Sequence, residues 1–369
     1  MTRHVLRLGF LADTLDRPGG IGRYSREVLA ALGRRSDVQV VVASSPASAT
    51  DAARLAGPCL ASHLAIPQLG QVGIALWERH YSGVAFGRAE VDVVHSTKHL
   101  VPKVRCPTLL TVHDMMTITR ANESNLMKRW LLPAQYRTSL ESATALVAVS
   151  RATAAAITRE YESWSAKTTV IPNGVSAGLL AGPAAPVPAV ADDRFALIVG
   201  DLSPRKNVAF VLDLWDRVAG ATGLVLLVVG DGGPGSAPLH RRLQALDPRG
   251  PVRWRPRLGD SELRWCYERA QVVLLPSIDE GFGLPLLEAR AFGAPVIAST
   301  ADAFVEVSGG APDVLHIDPG DARAWSAGII TAASAERAPG VTPSLPDGAI
   351  SWDEHTDRVL ALARSLLEH

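Results

Sequence analysis

Two carboxylates and two adjacent cations carry most of the chemistry legible in this 369-residue chain. Glu280 and Glu288 stand in Ser277-Ile278-Asp279-Glu280-Gly281-Phe282-Gly283-Leu284-Pro285-Leu286-Leu287-Glu288. The glycines let backbone approach a ligand closely, and Pro285 suits the first turn of a helix that then carries Glu288. Glu280 on the loop and Glu288 two turns further on could flank one sugar nucleotide. Glu288 lies in an otherwise apolar pattern, where a solvated role is hard to justify. The cations are Arg205 and Lys206, in Gly200-Asp201-Leu202-Ser203-Pro204-Arg205-Lys206-Asn207, read as the start of a helix. Cations there oppose the positive end of the helix dipole, so a diphosphate is the natural guest; the plainer alternative is a solvated basic turn.

Two further stretches lie in the first half. Arg17-Pro18-Gly19-Gly20-Ile21-Gly22-Arg23 closes a strand and opens a helix, whose free N–H groups favour an anion. A tight strand-to-helix turn would use the same residues. The dinucleotide spacing G-x-G-x-x-G fails because Ser25 stands where its last glycine belongs, which sets a dehydrogenase aside. His113-Asp114 follows the apolar run Thr108–Val112. A histidine there can orient a sugar hydroxyl or carry a proton, with Asp accepting hydrogen bonds; a structural pair is the alternative. His95 and Ser96 end the preceding run in the same way.

Short apolar runs alternating with helical patterns must position these residues, the pattern of parallel α/β sheets. Strands are predicted at Val5–Phe10, Val38–Ala43, Val91–His95, Thr108–Val112, Leu146–Val149 and Thr169–Ile171, with helices at Ile21–Leu32, Asn125–Ser142 and Ala152–Tyr161. The second half gives strands at Phe195–Val199, Leu224–Val229, Val252–Trp254, Gln271–Leu275 and Pro295–Ala298. Its helices are predicted near Val208–Ala219, Leu239–Leu246, Ser261–Arg269 and Leu284–Phe292. Two doubly wound units result, spanning 1–175 and 194–350, joined by a Pro/Ala-rich spacer at 176–193 and followed by a closing helix at 351–369. Such sheets bind ligands at strand carboxyl ends, where all of these motifs fall.

Composition narrows the class. Hydrophobic residues at 47% and charged residues at 20% describe a compact globular chain, and 37 basic against 37 acidic side chains exclude a general polyanion or nucleic-acid binder. The balance is an average: residues 1–175 hold 20 Lys/Arg and 13 Asp/Glu, net +7, and residues 176–369 hold 17 and 24, net −7. Cys59, Cys106 and Cys266 form no C-x-x-C pair, so neither a disulfide framework nor a zinc site is indicated and a reducing compartment fits. The first ten residues lack the apolar run of an export signal, from which a cytoplasmic location is expected. Lys128, Arg129 and Arg137 beside Leu126, Met127, Trp130, Leu131 and Leu132 suit peripheral contact with an anionic membrane; an apolar side packed in the core with solvated cations is the alternative.

Taken together, the chain resembles a retaining glycosyltransferase of family 4, mannosyltransferase-like branch. The resemblance rests on Gly19-Gly20-Ile21-Gly22-Arg23-Tyr24, Thr111-Val112-His113-Asp114, Val149-Ser150-Arg151, Ile171-Pro172-Asn173-Gly174-Val175, Ser203-Pro204-Arg205-Lys206-Asn207 and the E-x7-E element from Glu280 to Glu288. It implies the GT-B fold: two Rossmann-like domains facing a central cleft, with Ser351 to Leu367 crossing back to the first. By the same resemblance Arg205 and Lys206 hold the donor diphosphate, Glu288 the ribose hydroxyls and Glu280 the transferred sugar near its C3 hydroxyl. Gly281, Phe282, Gly283 and Leu284 complete the donor loop, His113 meets the sugar's C6 hydroxyl, and Gly19-Gly20 closes over the phosphates. Gly22, Arg23 and Asp114 fall on the acceptor side. Relatives that carry Arg after the strand-end glycine differ from this chain, which has Asp201. The donor implied is a nucleotide-diphosphate sugar, GDP-mannose first, and the acceptor a glycan, a lipid-linked glycan or a small molecule. No metal or other cofactor is expected, since no D-x-D triplet occurs. A nucleotide-sugar 2-epimerase on the same scaffold and a non-catalytic two-lobed sugar-binding protein are the alternatives.

Overall fold

The structure, a computed structural model, describes residues 5–17, 19–67, 82–119, 126–336 and 341–368, with backbone alone for 126–132. It divides into two units, Met1–Gly174 with Ile350–His369, and Val175–Ala349. In the first, β1 (Leu6–Leu11), β2 (Val38–Ser44), β3 (Leu60–Ala65), β4 (Val93–Ser96), β5 (Thr108–Val112), β6 (Ala145–Ala148) and β7 (Thr168–Val170) form one parallel sheet in the order β3-β2-β1-β4-β5-β6-β7. In the second, β8 (Phe195–Val199), β9 (Val225–Val229), β10 (Val252–Arg255), β11 (Val272–Leu275), β12 (Val296–Ser299) and β13 (Val314–Ile317) are parallel in the order β10-β9-β8-β11-β12-β13. Each unit is thus the doubly wound Rossmann-like sheet expected. Strand order reverses beside the first strand of each, at β1/β4 and at β8/β11, and a crevice for ligands opens at such a switch point.

Helices on both faces explain the near-continuous apolar runs. All five residues of β5 and of β9 are buried, as strands covered on two sides require. Trp215 and Trp325, both fully buried, anchor the core of the second unit, and side chains of that size contribute roughly 1.5–3 kcal/mol each on burial. Of the four edge strands, β3 and β13 were not expected from sequence. Their residues are mostly half-exposed or exposed, so neither forms the apolar run by which the central strands are recognised.

The closing helix, Trp352–Ser365, packs within the first unit against the helix Gly20–Leu32, as expected. It buries Trp352, His355, Thr356, Val359, Leu360 and Ala363, a single face at helical spacing, and Ser351 caps its start by accepting from the Glu354 amide at 3.1 Å. Ion pairs of Arg34 with Asp353 at 2.7 Å and Arg364 with Asp37 at 2.7 Å fix its two ends. Gly174 serves the same packing: a Cβ there would stand 2.4 Å from the Trp352 nitrogen.

The spacer at 176–193 is a correction. Its residues belong to the second unit, where Ala177–Ala181 is helical under a Ser176 cap and Leu179, Val187 and Val190 are buried. Ser176 supplies the cap that starts this helix, and Pro183, Pro186 and Pro188 follow its end rather than interrupting it. Among the described residues no helix is long and apolar enough to cross a membrane, and the three cysteines are free. Side chains 126–132, which include Lys128, Arg129 and Trp130, lie outside the described residues.

Candidate active site

In the second unit the switch point brings Arg205, Lys206 and Glu280 together. The turn Pro204–Lys206 follows β8, and the loop bearing Glu280 follows β11, its neighbour in the sheet. Arg205 Nη1 donates to Glu280 Oε2 at 3.0 Å, Lys206 Nζ donates to Oε1, and Ser277 Oγ adds a bond to Oε1 at 2.7 Å. The carboxylate is only 8% exposed. Burial pushes its pKa up, but the charges of Lys206 and Arg205, with the hydrogen bonds from Lys206 and Ser277, overcome that and hold it below the usual carboxylate value. Glu280 is therefore an anion flanked by two cations. Gly200, Asp201, Ser277, Pro285 and Phe304 line a small pocket beside it.

Arg205 and Lys206 do not begin a helix, contrary to the sequence reading. They form their own short 3-10 turn, and Asn207, at φ 53°, breaks the chain before the helix Val208–Thr222 starts. Left-handed backbone suits asparagine better than most residues, which accounts for the Lys-Asn step. Asp201 shapes this turn: it accepts from the Ser203 amide at 2.9 Å and lies 3.4 Å from Arg205 Nη2.

Gly283 turns the loop into the helix Leu284–Ala291. Its φ of 99° is costly for any side chain, and a Cβ would stand 2.7 Å from the Phe304 ring. Phe282 is buried, so its ring packs inward. Glu288 is also buried, 3% exposed, and Tyr267 donates to its Oε2 at 2.8 Å. The Tyr267 bond explains how a carboxylate survives among Leu286, Leu287 and Ala289, and no sequence spacing links the two.

In the first unit Gly19, at φ 97°, precedes the helix Gly20–Leu32, and Gly19 and Gly20 are exposed with open space beside them. Gly22 has a different reason to be glycine: a Cβ would meet the Arg17 carbonyl at 2.1 Å and that of Thr14 at 2.8 Å. Close packing of helix on turn thus requires it. Arg23 lies half-buried on the same helix, and Arg26 braces the turn by donating to the Leu15 and Arg17 carbonyls at 3.0 Å.

His113 follows β5 and is partly buried, with Nε2 3.0 Å from the Thr97 carbonyl. Burial presses its pKa down to about 4, against smaller opposing effects of the Thr97 carbonyl and Asp114. A neutral ring with its proton on Nε2 leaves Nδ1 as an acceptor. Asp114 caps the short helix after it, accepting from the Met116 amide at 3.0 Å. His95 is wholly buried and bonds to Thr111 Oγ1 at 2.8 Å, so it is a core residue. Sequence reasoning missed Asp13 and Lys98, which pair at 2.7 Å where β1 and β4 end. The signal was positional: Asp13 directly follows an apolar run, and Lys98 lies two residues past the end of β4. Ser150 proves to be a helix cap, accepting from the Thr153 amide at 2.9 Å. Among the described residues no group of three or more His, Cys, Asp or Glu could hold a metal ion.

Comparison with known proteins follows the two-unit division. Residues 18–178 match the family model described as Glycosyltransferase Family 4, and residues 185–339 that described as Glycosyl transferases group 1. The O-antigen chain mannosyltransferase RfbU of Salmonella typhimurium is 27% identical over 67% of the chain and 65% of its own length. The MMP alpha-(1->4)-mannosyltransferase of Mycolicibacterium hassiacum is 29% identical over 60% of the chain and 56% of its own length. Less than two thirds of either relative is thus spanned. Among solved structures, sucrose-phosphate synthase from Thermosynechococcus elongatus superposes with a TM-score of 0.68 at 19% identity, covering 98% of this chain and 99% of that one. Anabaena HepE in complex with UDP and glucose gives 0.67 at 18% identity, covering 98% and 100%.

Proposed function

This chain belongs to the GT-B-fold glycosyltransferases of the group 1 and family 4 clan, and we propose that it is a retaining hexosyltransferase using a nucleotide-diphosphate sugar, with GDP-mannose the leading donor. The observation that carries this reading is Glu280, a buried carboxylate shared by Arg205 and Lys206 at the switch point of the second unit. Two fixed cations where strands end suit a diphosphate leaving group, since preorganised charge stabilises the departing anion without reorganisation. Glu280, already ionised, accepts hydrogen bonds from the sugar near C3, and Glu288 serves the ribose hydroxyls. His113, neutral, accepts from the C6 hydroxyl through Nδ1. The exposed Gly19-Gly20 turn closes over the phosphates, while Gly22, Arg23 and Asp114 shape the acceptor side.

Transfer proceeds on the front face. The anomeric C–O bond to the diphosphate breaks as the acceptor oxygen bonds to the same face of that carbon, and the acceptor's proton passes to the departing phosphate oxygen. Configuration is retained, and no side-chain nucleophile is required. The acceptor is a hydroxyl of a glycan, a lipid-linked glycan or a small molecule. Two mannosyltransferases among the relatives favour mannose, and the free thiols favour action in the reducing cytoplasm. A thermal-shift panel of GDP, UDP, dTDP and ADP tests the donor, because a ligand that binds only the folded state raises the melting temperature. GDP is expected to give the largest rise; a larger rise with another diphosphate would overturn the donor assignment.

A further inference from the structure

Within the first unit a hydrogen-bonded line of side chains runs from the closing helix through Tyr24, whose ring borders His113, to His95, and each of its bonds has one direction. His355 places Nδ1 2.7 Å from the Pro172 carbonyl and Nε2 3.0 Å from the Tyr24 hydroxyl. A carbonyl only accepts, so the His355 proton sits on Nδ1 and Nε2 accepts from Tyr24. With its own proton committed, the Tyr24 oxygen takes a bond from Thr111 Oγ1 at 2.9 Å. Thr111 in turn accepts from His95 Nε2 at 2.8 Å, and His95 Nδ1 is left without a partner. Tyr24 is fully buried, and its ring stands edge-on to His113 at 4.9 Å, His355 at 5.2 Å and Trp352 at 5.6 Å.

Apolar residues of the same shape would fill this space without the cost of burying hydroxyls and imidazoles. What the polar line adds is a fixed ring orientation. The Tyr24 hydroxyl is held between Thr111 and His355, so the ring cannot pivot, and its edge-on contact sets the plane of His113. The Thr97 carbonyl sets the tautomer. We infer that Tyr24 and His355 are positioning residues for His113: through the Tyr24 ring, the closing helix holds the imidazole so that Nδ1 is offered to a hydroxyl of the bound sugar. The inference rests on the proposed role of His113 at the donor sugar.

The experiment compares the full-length wild type with Tyr24→Phe, His355→Phe and His355→Gln, the last keeping an acceptor for Tyr24. Imidazole ¹⁵N spectra, with the His113 signal assigned by His113→Ala, read the tautomer and environment of His113 directly. GDP-mannose and GDP-6-deoxymannose are then compared as donors by kcat/KM. His113 is expected to be a single Nε2-protonated species in the wild type and to shift or split in both Phe variants, with His355→Gln returning towards wild type. The preference for the 6-hydroxyl donor is expected to shrink about tenfold in the Phe variants, the value of one lost hydrogen bond. A merely structural role would lower both donors alike. An unchanged His113 spectrum in folded Tyr24→Phe overturns the inference, and that variant, lacking one oxygen, keeps the test open should His355→Phe not fold. A changed spectrum alongside a wild type indifferent to the 6-hydroxyl overturns the donor role of His113 while leaving the positioning intact.

Discussion

Arg205 Nη1 lies 3.0 Å from Glu280 Oε2, joining residues 75 apart in sequence, and Lys206 takes the other oxygen of the same carboxylate. Glu280 thus engages both of the cations proposed to meet the leaving group. Removing its charge should separate two effects. Glu280→Gln is expected to lower transfer by roughly 100-fold, as loss of a preorganised electrostatic contact does, while free nucleoside diphosphate binds at least as tightly because two cations are released. Calorimetric titration checks this; weaker diphosphate binding by Glu280→Gln would count against the assignment of Arg205 and Lys206.

Arg205→Ala and Lys206→Ala test the same cations from the other side. A charge-assisted hydrogen bond contributes about 1.5–3 kcal/mol, so each variant should weaken donor binding roughly 10- to 100-fold. Arg205 also reaches the Asp279 carbonyl at 3.2 Å through the nitrogen that meets Glu280. Arg205→Lys, lacking the fork, should recover little. Donor dissociation constants unchanged in all three variants would sink the diphosphate assignment.

Much of this site was legible. Glycines, a proline and charges just past apolar runs marked the loops after β8 and β11, because a parallel sheet exposes its strand ends and little else. The pairings were not legible. Arg205 meets Glu280 only because β8 and β11 are neighbours, a fact of strand order that periodicity does not contain. Nor could spacing show that Tyr267, on another helix, supplies Glu288 with a hydrogen bond. Edge strands β3 and β13 escaped notice for lack of an apolar run, and spacing alone did not show that Ser150 caps a helix or that Gly22 lets one pack.

Gly20 and Gly22 should part company on substitution. Gly22→Ala drives a Cβ to 2.1 Å from the Arg17 carbonyl, and overpacking of that kind costs about 1–3 kcal/mol. A Cβ at Gly20 would meet open space among the described residues, so Gly20→Ala should leave stability within about 0.5 kcal/mol of wild type. Its donor affinity should nevertheless fall if, as proposed, this turn closes over the phosphates. Urea denaturation and donor titration measure the two effects; normal donor affinity in Gly20→Ala would remove the phosphate role of that turn.

Stability should fall in mild acid. Burial, foremost, pushes the pKa of His95 down to about 3 and those of His113 and His355 to about 4, from an ordinary 6.5. Between those values the unfolded chain binds more protons than the folded one, so stability rises with pH there. It is complete above about pH 6.5 and is lost as the pH drops towards about 4, a window that opens above the range where carboxylates titrate. Urea midpoints across this range should decline with acid, and less steeply in His355→Gln. A flat profile between about pH 6.5 and 5 would contradict the neutral histidine cluster.

The most direct measurement is incubation of the purified chain with labelled GDP-mannose, UDP-glucose, dTDP-rhamnose and ADP-glucose, in the presence of EDTA, followed by NMR of the sugar released or transferred. The expected result is cleavage of one donor, GDP-mannose first, to the nucleoside diphosphate and a sugar of retained anomeric configuration, at a rate that chelation does not change. Formation of a 2-epimer, binding with no turnover of any donor, or activity that returns only with manganese would contradict a metal-independent retaining transferase.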